Sequence, residues 1–541
     1  MRTPLENLSI ELLSHLYLNR LTTSVEHMAN NPIFRNSLLL GFVLMKFLIQ
    51  YSLVNDSYEL HRDEFLHINQ ARHLAWGYLS VPPLTSWISY LIGLLGNSIF
   101  WIKFVPALFG ALTIVFVWKA IEALGGNLCA LLLGASCICF SVLFRLNVLY
   151  QPNSLDVLCW TGVYYFFIRY LIRNEPRWLY LLALAFAIGF LNKYNIVFLF
   201  IGMLPAIVLS SARKIFYTGH FYGALLLALC LLLPNLLWQY QHRFPVFLHL
   251  GELAETQLSH VNRWSFATSP LFFFSGSLIV LFVGLYALAS QETWRKYRLF
   301  LWSFIFTFAL FVALKAKDYY AIGLYPIYFA FGATYIGSLL ASSKWYYRTM
   351  VVLSPILFFL PIYPIAFPNK TPEYIVAHQD TYRKYGLLRW EDGKEHSLPQ
   401  DFADMLGWTE LAKKVDSVYL QLGDPEHTLV LCDNYGQAGA INYYSALGIQ
   451  AVSFNADYIN WFDLKRHYKH LIRVKNAQEE VEEMQQTGPL FQQSVVADRI
   501  QNVYAREYGT VIFSFREAKV DINQRIRSEL EAQPAYLGKQ Q

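Results

Sequence analysis

Residues 61–84 read HRDEFLHINQARHLAWGYLSVPPL and place two adjacent carboxylates, Asp63 and Glu64, directly after the first long apolar segment of the chain. Carboxylates at the mouth of a membrane helix are costly when they lose their water, so they usually have a function. The alternative is that both lie in a hydrated loop at the water boundary, where a charge costs little. The rest of the sequence bears on this choice.

The composition is that of a membrane protein. Hydrophobic residues make up 55% and charged residues 15% of the 541 residues, and the mean hydropathy is +0.31. Soluble domains carry roughly 25% charged residues. Aromatic residues reach 17%, which fits the Trp and Tyr belts of membrane interfaces. The net charge of +5 is spread in small clusters between apolar runs, so it indicates topology and predicts no nucleic-acid partner.

Apolar stretches that could span a membrane number about eleven, given that a span needs about 20 residues. They lie at 36–54, 98–121, 127–144, 154–172, 178–192, 195–211, 217–238, 270–290, 298–314, 320–341 and 349–367. Lys and Arg cluster in alternate connections, and the positive-inside rule places these in the cytoplasm. We therefore expect a multi-pass protein of the plasma (inner) membrane, with segment 1–35 cytoplasmic, a membrane domain at 36–368 and an extracytoplasmic segment at 369–541.

The predicted outer connections include two long loops, 55–97 and 239–269, whose mixed polarity is typical of helices lying in the membrane interface. Most charges that interrupt apolar sequence fall on this outer face. They are Asp63, Glu64, Asp156, Lys193, His249, Glu252, His260, Lys315, Lys317 and Asp318. This convergence predicts a site at the outer leaflet.

The chain after residue 370 has a soluble composition and predicts a small α/β domain. Residues 401–422 have the spacing of an amphipathic helix, 427–448 read as a strand, a turn and a helix, and 509–519 are strand-like. The string GQAG at 436–439 lacks both the GxGxxG pattern and a Walker lysine, so a structural turn is favoured over a phosphate loop.

Lys193 interrupts apolar sequence in AIGFLNKYNIVFLF, residues 187–200. A lysine at mid-membrane costs about 3 kcal/mol on insertion scales. It could snorkel to the interface or bind a phosphate. A second cationic cluster, KAKDYY at 315–320, could be an ordinary charged turn or part of the same site.

Histidines at intervals of six in the first outer loop, at positions 61, 67 and 73, do not have a spacing diagnostic of zinc. No cofactor is predicted, and a divalent metal stays open.

The segment from Asp63 to Leu84 resembles the DE…HLAxGYxxxPPL signature of glycosyltransferase family 39-like membrane proteins, relatives of protein O-mannosyltransferases and of the aminoarabinose transferase that acts on lipid A. Further segments resemble the bacterial members in the same order. These are QPNSLDVLCWTGVYYF (151–166), GFLNKYNIVF (189–198), NLLWQYQHRFPVF (235–247), KAKDYYAIGLYPIYFAFGA (315–333), LPQDFADMLGWTELAKKV (398–415) and DNYGQAGAINYY (433–444). The resemblance runs from about residue 36 to 465.

This resemblance implies a GT-C fold, a polytopic helical membrane protein with a C-terminal α/β domain. It also implies a glycosyltransferase that uses a polyprenyl-phosphate-linked sugar and a lipid, glycan or protein acceptor. Asp63 is similar in position to the family's first-loop Asp, which implies a general base. The other catalytic candidates are Glu64 and Asp156. The sequence reads Asn153-Ser154 before Asp156, where some members place an acidic residue earlier, so Asp156 is either a second catalytic carboxylate or a helix cap.

The donor phosphate requires a positively charged partner in this scheme, and Lys193 is the expected one. The candidate helpers are Tyr194, Lys315, Lys317 and Tyr320. A secondary transporter is the main alternative class, but transporters are expected to show paired repeats and charges near the midplane. Here no repeat is visible and the charges gather at one surface, which favours the enzyme.

Overall fold

The structure is a computed structural model that describes residues 31–256 and 262–532. Most of the predicted cytoplasmic segment 1–35 lies outside the described residues, as do His260 and the side chain of Glu252. Apolar helices dominate the first 370 residues. They are Pro32–Ser52, Ile99–Ala123, Leu128–Cys139, Asn153–Arg173, Arg177–Asn192, Ile196–Val208, Gly219–Gln241, Arg263–Phe273, Leu278–Ser290, Arg298–Ala313, Pro326–Leu339 and Trp345–Phe359.

Shorter helical segments connect them. These are Arg62–Gln70, Leu84–Leu94, Leu143–Leu146, Pro245–Thr256 and Tyr363–Ala366, together with the 3₁₀ turns Ser211–Tyr217, Glu292–Tyr297 and Asp318–Leu324. The helix Leu84–Leu94 begins directly after Pro83, and its 11 residues are too few to cross a bilayer. That it lies in the interface stays a prediction.

Every predicted span overlaps one of the apolar helices. In the described part of the chain, six helices are long and apolar enough to span a membrane, and nine spans result if each of three bent pairs counts as one. Two shorter apolar helices, Leu128–Cys139 and Arg177–Asn192, correspond to the two remaining predicted spans, 127–144 and 178–192. Backbone freed at a break must find a partner inside the protein. Asn195 supplies one, since its Nδ2 donates to the Tyr320 carbonyl at 2.8 Å beside the bend before Pro326.

The C-terminal part contains a five-stranded sheet: β1 (Thr428–Cys432), β2 (Ala451–Ser453), β3 (His470–Lys475), β4 (Phe491–Arg499) and β5 (Val511–Ala518). The order is β2-β1-β3-β5-β4, with β1 parallel to β2 and β3, and β5 antiparallel to β3 and β4. The predicted strand–turn–helix at 427–448 and the strand at 509–519 are confirmed. The predicted fold class, a helical membrane protein with a small C-terminal α/β domain, is confirmed as well.

The helices of this part are Pro372–Ala377, Gln379–Lys384, Gln400–Ala403, Trp408–Leu422, Tyr435–Tyr444, Glu480–Thr487 and Ile522–Ala532, with the 3₁₀ turns Pro425–His427, Ala456–Asn460, Ala477–Glu479 and Gly488–Leu490. The amphipathic helix predicted at 401–422 begins only at Trp408, because Gly407 adopts a left-handed conformation with φ of 85°. A separate turn of helix covers 400–403.

The C-terminal domain packs directly on the first outer loop. We call Arg62–Gln70 the outer-loop helix and Tyr435–Tyr444 the docking helix. Phe65 is fully buried between them, with its ring 5.7 Å from Trp408 and 5.8 Å from Tyr444. A Cβ atom on Gly439 would lie 2.5 Å from the Phe65 Cβ, so glycine permits the close approach of the two helices. The GQAG string therefore serves helix packing, as the structural interpretation predicted.

Hydrogen bonds reinforce this contact. The Glu59 carboxylate accepts from the backbone N–H groups of Trp408 at 2.6 Å and Thr409 at 3.1 Å, and so caps the helix that begins there. Asp457 is buried and accepts from Gln70 Nε2 and from the Leu79 N–H, both at 2.8 Å. The first outer loop and the C-terminal domain thus form a single packed unit.

Candidate functional site at the outer loop

The outer-loop helix begins with a capping box formed by the residues HRDE. His61 Nδ1 accepts from the Asp63 N–H at 3.2 Å, and the Glu64 carboxylate accepts from the His61 N–H at 2.7 Å. Both carboxylates lie in the first turn of the helix, where the helix dipole favours negative charge. Neighbouring residues of a helix point about 100° apart. Asp63 and Glu64 therefore enter different surroundings.

Asp63 lies between the membrane helices and the C-terminal domain. Its Oδ1 accepts a hydrogen bond of 2.6 Å from the Tyr435 hydroxyl of the docking helix, and its Oδ2 accepts one of 3.1 Å from Gln151 Nε2. The side chain is 37% exposed. It therefore has both fixed partners and open space in front of it.

The Asp63 carboxyl is also held in its ionised form. Burial opposes ionisation, but interactions with the His61 and Arg62 side chains and the hydrogen bond from Tyr435 outweigh it and keep the pKa of Asp63 below its ordinary value. A carboxylate that is ionised at neutral pH and partly exposed can accept a proton from a substrate hydroxyl.

Glu64, the second predicted catalytic carboxylate, is fully buried. Lys103 Nζ donates to both of its oxygens at 2.7 Å, and the Tyr150 N–H donates to Oε1 at 2.6 Å. Together with the bond from His61 N–H, these donors occupy both oxygens. This arrangement is that of a residue that holds the outer-loop helix to the segment before Asn153–Arg173.

Lys193 is connected to Asp63 by a chain of hydrogen bonds through two amides. Lys193 Nζ donates to Asn153 Oδ1 at 2.7 Å, Asn153 Nδ2 donates to Gln151 Oε1 at 2.9 Å, and Gln151 Nε2 donates to Asp63 at 3.1 Å. Every donor in the chain points from the cation toward the carboxylate. The predicted phosphate-binding lysine and the predicted base thus lie at the two ends of one short polar segment.

Aromatic rings form the other wall around Lys193. Its Nζ lies 4.5 Å from the centre of the Tyr320 ring and 5.2 Å from that of Tyr319, at distances typical of cation–π contacts. The hydrogen bond that Lys193 donates is to a neutral amide. A cation in this position retains capacity for an anionic ligand.

Asp156, the third predicted catalytic carboxylate, is buried in the first turn of Asn153–Arg173. It accepts hydrogen bonds from Trp160 Nε1 at 2.9 Å and from Asn195 Nδ2 at 3.0 Å. Its side chain makes no capping bond to the start of its own helix, so the helix-cap alternative does not describe it. Asp156 instead connects this helix to the turn that follows Lys193.

The predicted helper residues occupy different surroundings. The Tyr194 hydroxyl donates to Asn235 Oδ1 at 3.2 Å and accepts from Gln239 Nε2 at 2.9 Å. Lys317 forms an ion pair of 2.7 Å with Glu391, a residue of the C-terminal part of the chain. Lys315 is exposed and has a positive φ of 51°. Among the helpers, Tyr320 is the one whose ring lies against Lys193.

The sequence analysis did not identify four residues that complete the site: Lys103, Gln151, Asn153 and Tyr435. Gln151, Asn153 and Tyr435 belong to segments that carried the family resemblance, QPNSLDV and DNYGQAG. Their position in those segments was the signal by which the sequence could have identified them. A neutral amide or a tyrosine does not stand out from its neighbours in the sequence, whereas a charged residue in an apolar segment does.

Within the residues that the structure describes, no group of three or more His, Cys, Asp or Glu side chains is arranged to hold a metal ion. His67 bonds to Gln70 at 3.2 Å, and the His73 ring stacks on Trp461 at 4.3 Å. The histidines at intervals of six therefore have separate partners.

Comparisons with known proteins bear on the fold. A family model described as dolichyl-phosphate-mannose-protein mannosyltransferase matches residues 80–238. No curated protein matches the chain. Among solved structures, ArnT from Cupriavidus metallidurans bound to undecaprenyl phosphate aligns with a TM-score of 0.59 at 13% identity, over 88% of this chain and 98% of that one. Its apo structure aligns with a TM-score of 0.60 at 14% identity and the same coverage.

A crystal structure of the Archaeoglobus fulgidus oligosaccharyltransferase tethered with an acceptor peptide aligns with a TM-score of 0.47 at 11% identity, over 83% of this chain and 70% of that one. The ArnT alignments cover almost the whole of that protein and most of this chain, so they extend into both the helical part and the sheet domain of this chain. The resemblance read from the sequence is confirmed: the chain is a multi-pass membrane protein with the GT-C fold and a small C-terminal sheet domain, similar to the glycosyltransferase family 39-like proteins.

Proposed function

We propose that the protein is a membrane glycosyltransferase that moves a sugar from a polyprenyl-phosphate donor to a hydroxyl of a lipid, glycan or protein acceptor. The observation that carries this proposal is the hydrogen-bond chain from Lys193 to Asp63. It places a cation and an ionised, partly exposed carboxylate at the two ends of one short segment. Transfer from a lipid phosphate needs both groups, one for the departing phosphate and one for the acceptor proton.

Asp63 acts as the general base in this mechanism. It takes the proton of the acceptor hydroxyl while that oxygen forms a bond to the anomeric carbon of the donor sugar. The bond between that carbon and the phosphate oxygen breaks, and the polyprenyl phosphate leaves with the bonding electrons. Lys193 stays protonated throughout and stabilises the negative charge of the leaving phosphate.

Glu64 and Asp156 are assigned positioning roles instead of catalytic ones. Both are buried, and protein donors occupy both oxygens of each carboxylate. Glu64 holds the helix that carries Asp63, and Asp156 orients Asn195 in the turn next to Lys193. Lys315, Lys317 and Tyr194 lie farther along the same outer surface and are secondary candidates for the donor headgroup.

The proposed location is the outer leaflet of the plasma (inner) membrane, with the C-terminal domain outside the cytoplasm. The alternation of cationic connections supports it. The donor class is supported by the related fold of ArnT, whose structure contains undecaprenyl phosphate. No nucleotide-binding loop is needed, because such a donor arrives already activated in the membrane.

The test uses the full-length protein in liposomes with undecaprenyl-phosphate donors that carry radiolabelled mannose, glucose or aminoarabinose, and an envelope extract as acceptor. We expect release of undecaprenyl phosphate and transfer of label from at least one donor. Asp63→Asn should lower the rate by about 10²–10⁴-fold, the usual contribution of a general base. The matched control is Asp56→Asn, which changes an exposed carboxylate of the same loop.

Two results would contradict the proposal. One is equal turnover by the Asp63→Asn protein and its Asp56→Asn control. The other is movement of intact labelled donor across the bilayer without release of undecaprenyl phosphate, which is the behaviour of a transporter.

A further inference from the structure

A polar pocket in the C-terminal domain lies beside Asp63 and has no role in the mechanism above. We infer that it binds a saccharide unit of the acceptor, an inference that rests on the proposed function and narrows its acceptor to a molecule that carries a glycan. The pocket has a volume of about 180 Å³. At about 30 Å³ for each water molecule, this is room for roughly six waters, which suits a single ring-sized group better than an extended chain.

The position of the pocket follows from the sheet. Asp433 and Asn434 come directly after β1, and Asn476 comes directly after β3, so the pocket lies at the carboxyl ends of two parallel strands. Open sheets with parallel strands bind ligands in the crevice at this edge. The N-terminus of the docking helix begins at the same edge, one residue after Asn434.

The chemistry of the lining points to hydroxyl groups. Carboxylates, amides and two guanidinium groups line it together: Asp433 and Glu507, Asn434, Gln437 and Asn476, and Arg62 and Arg506. Each sugar hydroxyl both donates and accepts, so a wall that alternates acceptors with donors matches it. The two carboxylates balance the two guanidinium groups, which suits a neutral polar ligand, whereas an apolar ligand would leave these groups without water.

Several of these groups are already held in place. The Glu507 carboxylate accepts from Asn434 Nδ2 at 3.2 Å, from Gln437 Nε2 at 2.6 Å and from Thr510 Oγ1 at 3.0 Å. Lys475 Nζ donates to Asp433 at 2.9 Å. A lining held by its own hydrogen bonds loses little side-chain freedom when a ligand binds.

Arg62 supplies the unused hydrogen-bonding capacity. Its Nε is buried without a hydrogen-bond partner, and its guanidinium stacks on the Tyr435 ring at 4.6 Å. The guanidinium lines the pocket, so its terminal N–H groups are the donors that would meet a ligand hydroxyl there.

The pocket is joined to the base on the side opposite the donor. Arg62 precedes Asp63 in the chain, and Asn434 precedes Tyr435, whose hydroxyl binds Asp63 Oδ1. Gln151 donates to the other carboxylate oxygen, Oδ2, and connects through Asn153 to Lys193. The order is therefore donor phosphate, base, then saccharide pocket, as transfer to a saccharide acceptor requires.

The test measures binding in the absence of donor, so that its outcome is independent of turnover. Saturation-transfer NMR on the full-length protein in detergent uses methyl glycosides of glucose, galactose, mannose and N-acetylglucosamine, with inorganic phosphate and a serine-containing peptide as comparison probes. We expect at least one glycoside to bind at millimolar concentration, and Arg62→Gln and Asn476→Ala each to weaken it at least tenfold.

Asn476 is exposed and distant in sequence from Asp63, so its variant tests the pocket even where the Arg62 variant disturbs the outer-loop helix. The matched control is Arg72→Gln, which changes an exposed arginine of the same loop. The inference is overturned by binding of no glycoside, by binding of phosphate or peptide alone, or by glycoside binding that both pocket variants leave unchanged. Glycoside binding by a protein that releases no undecaprenyl phosphate would instead count against the proposed function alone.

Discussion

On the membrane side of Asp63, two neutral amides lead to a single cation, whereas on the side of the C-terminal domain a tyrosine hydroxyl and a guanidinium lead to a polar pocket. Gln151 and Asn153 form the first side, and Lys193 ends it beneath two aromatic rings. Tyr435 and Arg62 form the second. The first side suits an anion that must be stabilised as it departs, and the second suits a neutral, hydroxyl-bearing group.

This difference indicates why the C-terminal domain packs so tightly on the first outer loop. A base that serves two substrates must contact both, and the membrane helices supply only one of its two hydrogen-bond partners. The docking helix supplies the other. In the proposed mechanism the C-terminal domain is therefore part of the site, and each side can be disrupted separately.

The largest effect on stability should come from a change at Glu64, which fixes the start of the outer-loop helix that carries both Arg62 and Asp63. Glu64→Gln leaves Lys103 as a charge that is 10% exposed and has lost its ionised partner. Breaking a buried ion pair in this way costs about 3–5 kcal/mol. We expect a clear fall in the thermal unfolding temperature in detergent, with Asp63→Asn close to the parent protein as the comparison.

A double variant separates the effect of the unpaired charge from the effect of losing the ion pair itself. Replacing both partners, Glu64→Gln with Lys103→Met, removes the unpaired charge and should recover part of the loss. Equal unfolding temperatures for Glu64→Gln and the parent protein would show that the ion pair does not hold the outer-loop helix.

The next largest effect should come from a change at Lys193, the cation at the far end of the hydrogen-bond chain from Asp63. Lys193→Met keeps an apolar stem and removes the charge, so affinity for the undecaprenyl-phosphate donor should fall about 10–100-fold, the value of a hydrogen bond to a charged group. Lys193→Arg should recover part of the affinity, because a guanidinium also binds phosphate oxygens. Donor affinity and turnover in liposomes are the measurements.

Lys394→Met is the matched control for Lys193, because Lys394 is an exposed lysine of the predicted extracytoplasmic segment with no assigned role. Its effect on donor affinity should be smaller. Glycoside binding to the pocket should be unchanged in both proteins, since the pocket lies on the other side of Asp63. If Lys193→Met binds and turns over the donor like the parent protein, Lys193 only snorkels and the phosphate site lies elsewhere.

The sequence predicted the elements of this arrangement better than their contacts. Apolar stretches near 20 residues long predict membrane helices directly, and a charge such as Lys193 stands out within them. The contacts of Asp63 join residues 88 and 372 positions apart, to Gln151 and Tyr435. A neutral amide or a tyrosine at such a distance leaves no trace in composition or periodicity.

Adjacent residues on a helix were the other obstacle. Asp63 and Glu64 are equivalent in the sequence, but one helical step directs one to a partly exposed site and the other to a buried lysine. The edge strand β4 was missed for a similar reason. Most of its side chains are exposed, so it lacks the buried apolar run by which β1 was identified.

The smallest predicted effect tests the C-terminal side. Tyr435→Phe removes the hydroxyl that donates to Asp63 and leaves the ring that packs on Arg62. This hydrogen bond stabilises the ionised carboxylate, so its loss should raise the pKa of Asp63. A base must be ionised to act, so the acidic limb of the pH profile of kcat/KM should move to higher pH.

At neutral pH the Tyr435→Phe protein should differ little in rate from the parent protein, because Asp63 stays ionised there, and the loss should appear at acidic pH. Tyr443→Phe is the matched control, because Tyr443 lies on the same docking helix and donates to the Asn97 carbonyl instead. A purely structural role for Tyr435 would lower the rate equally at every pH. An unshifted acidic limb would therefore separate Tyr435 from Asp63 and leave the C-terminal domain in contact with the base without influence on its ionisation.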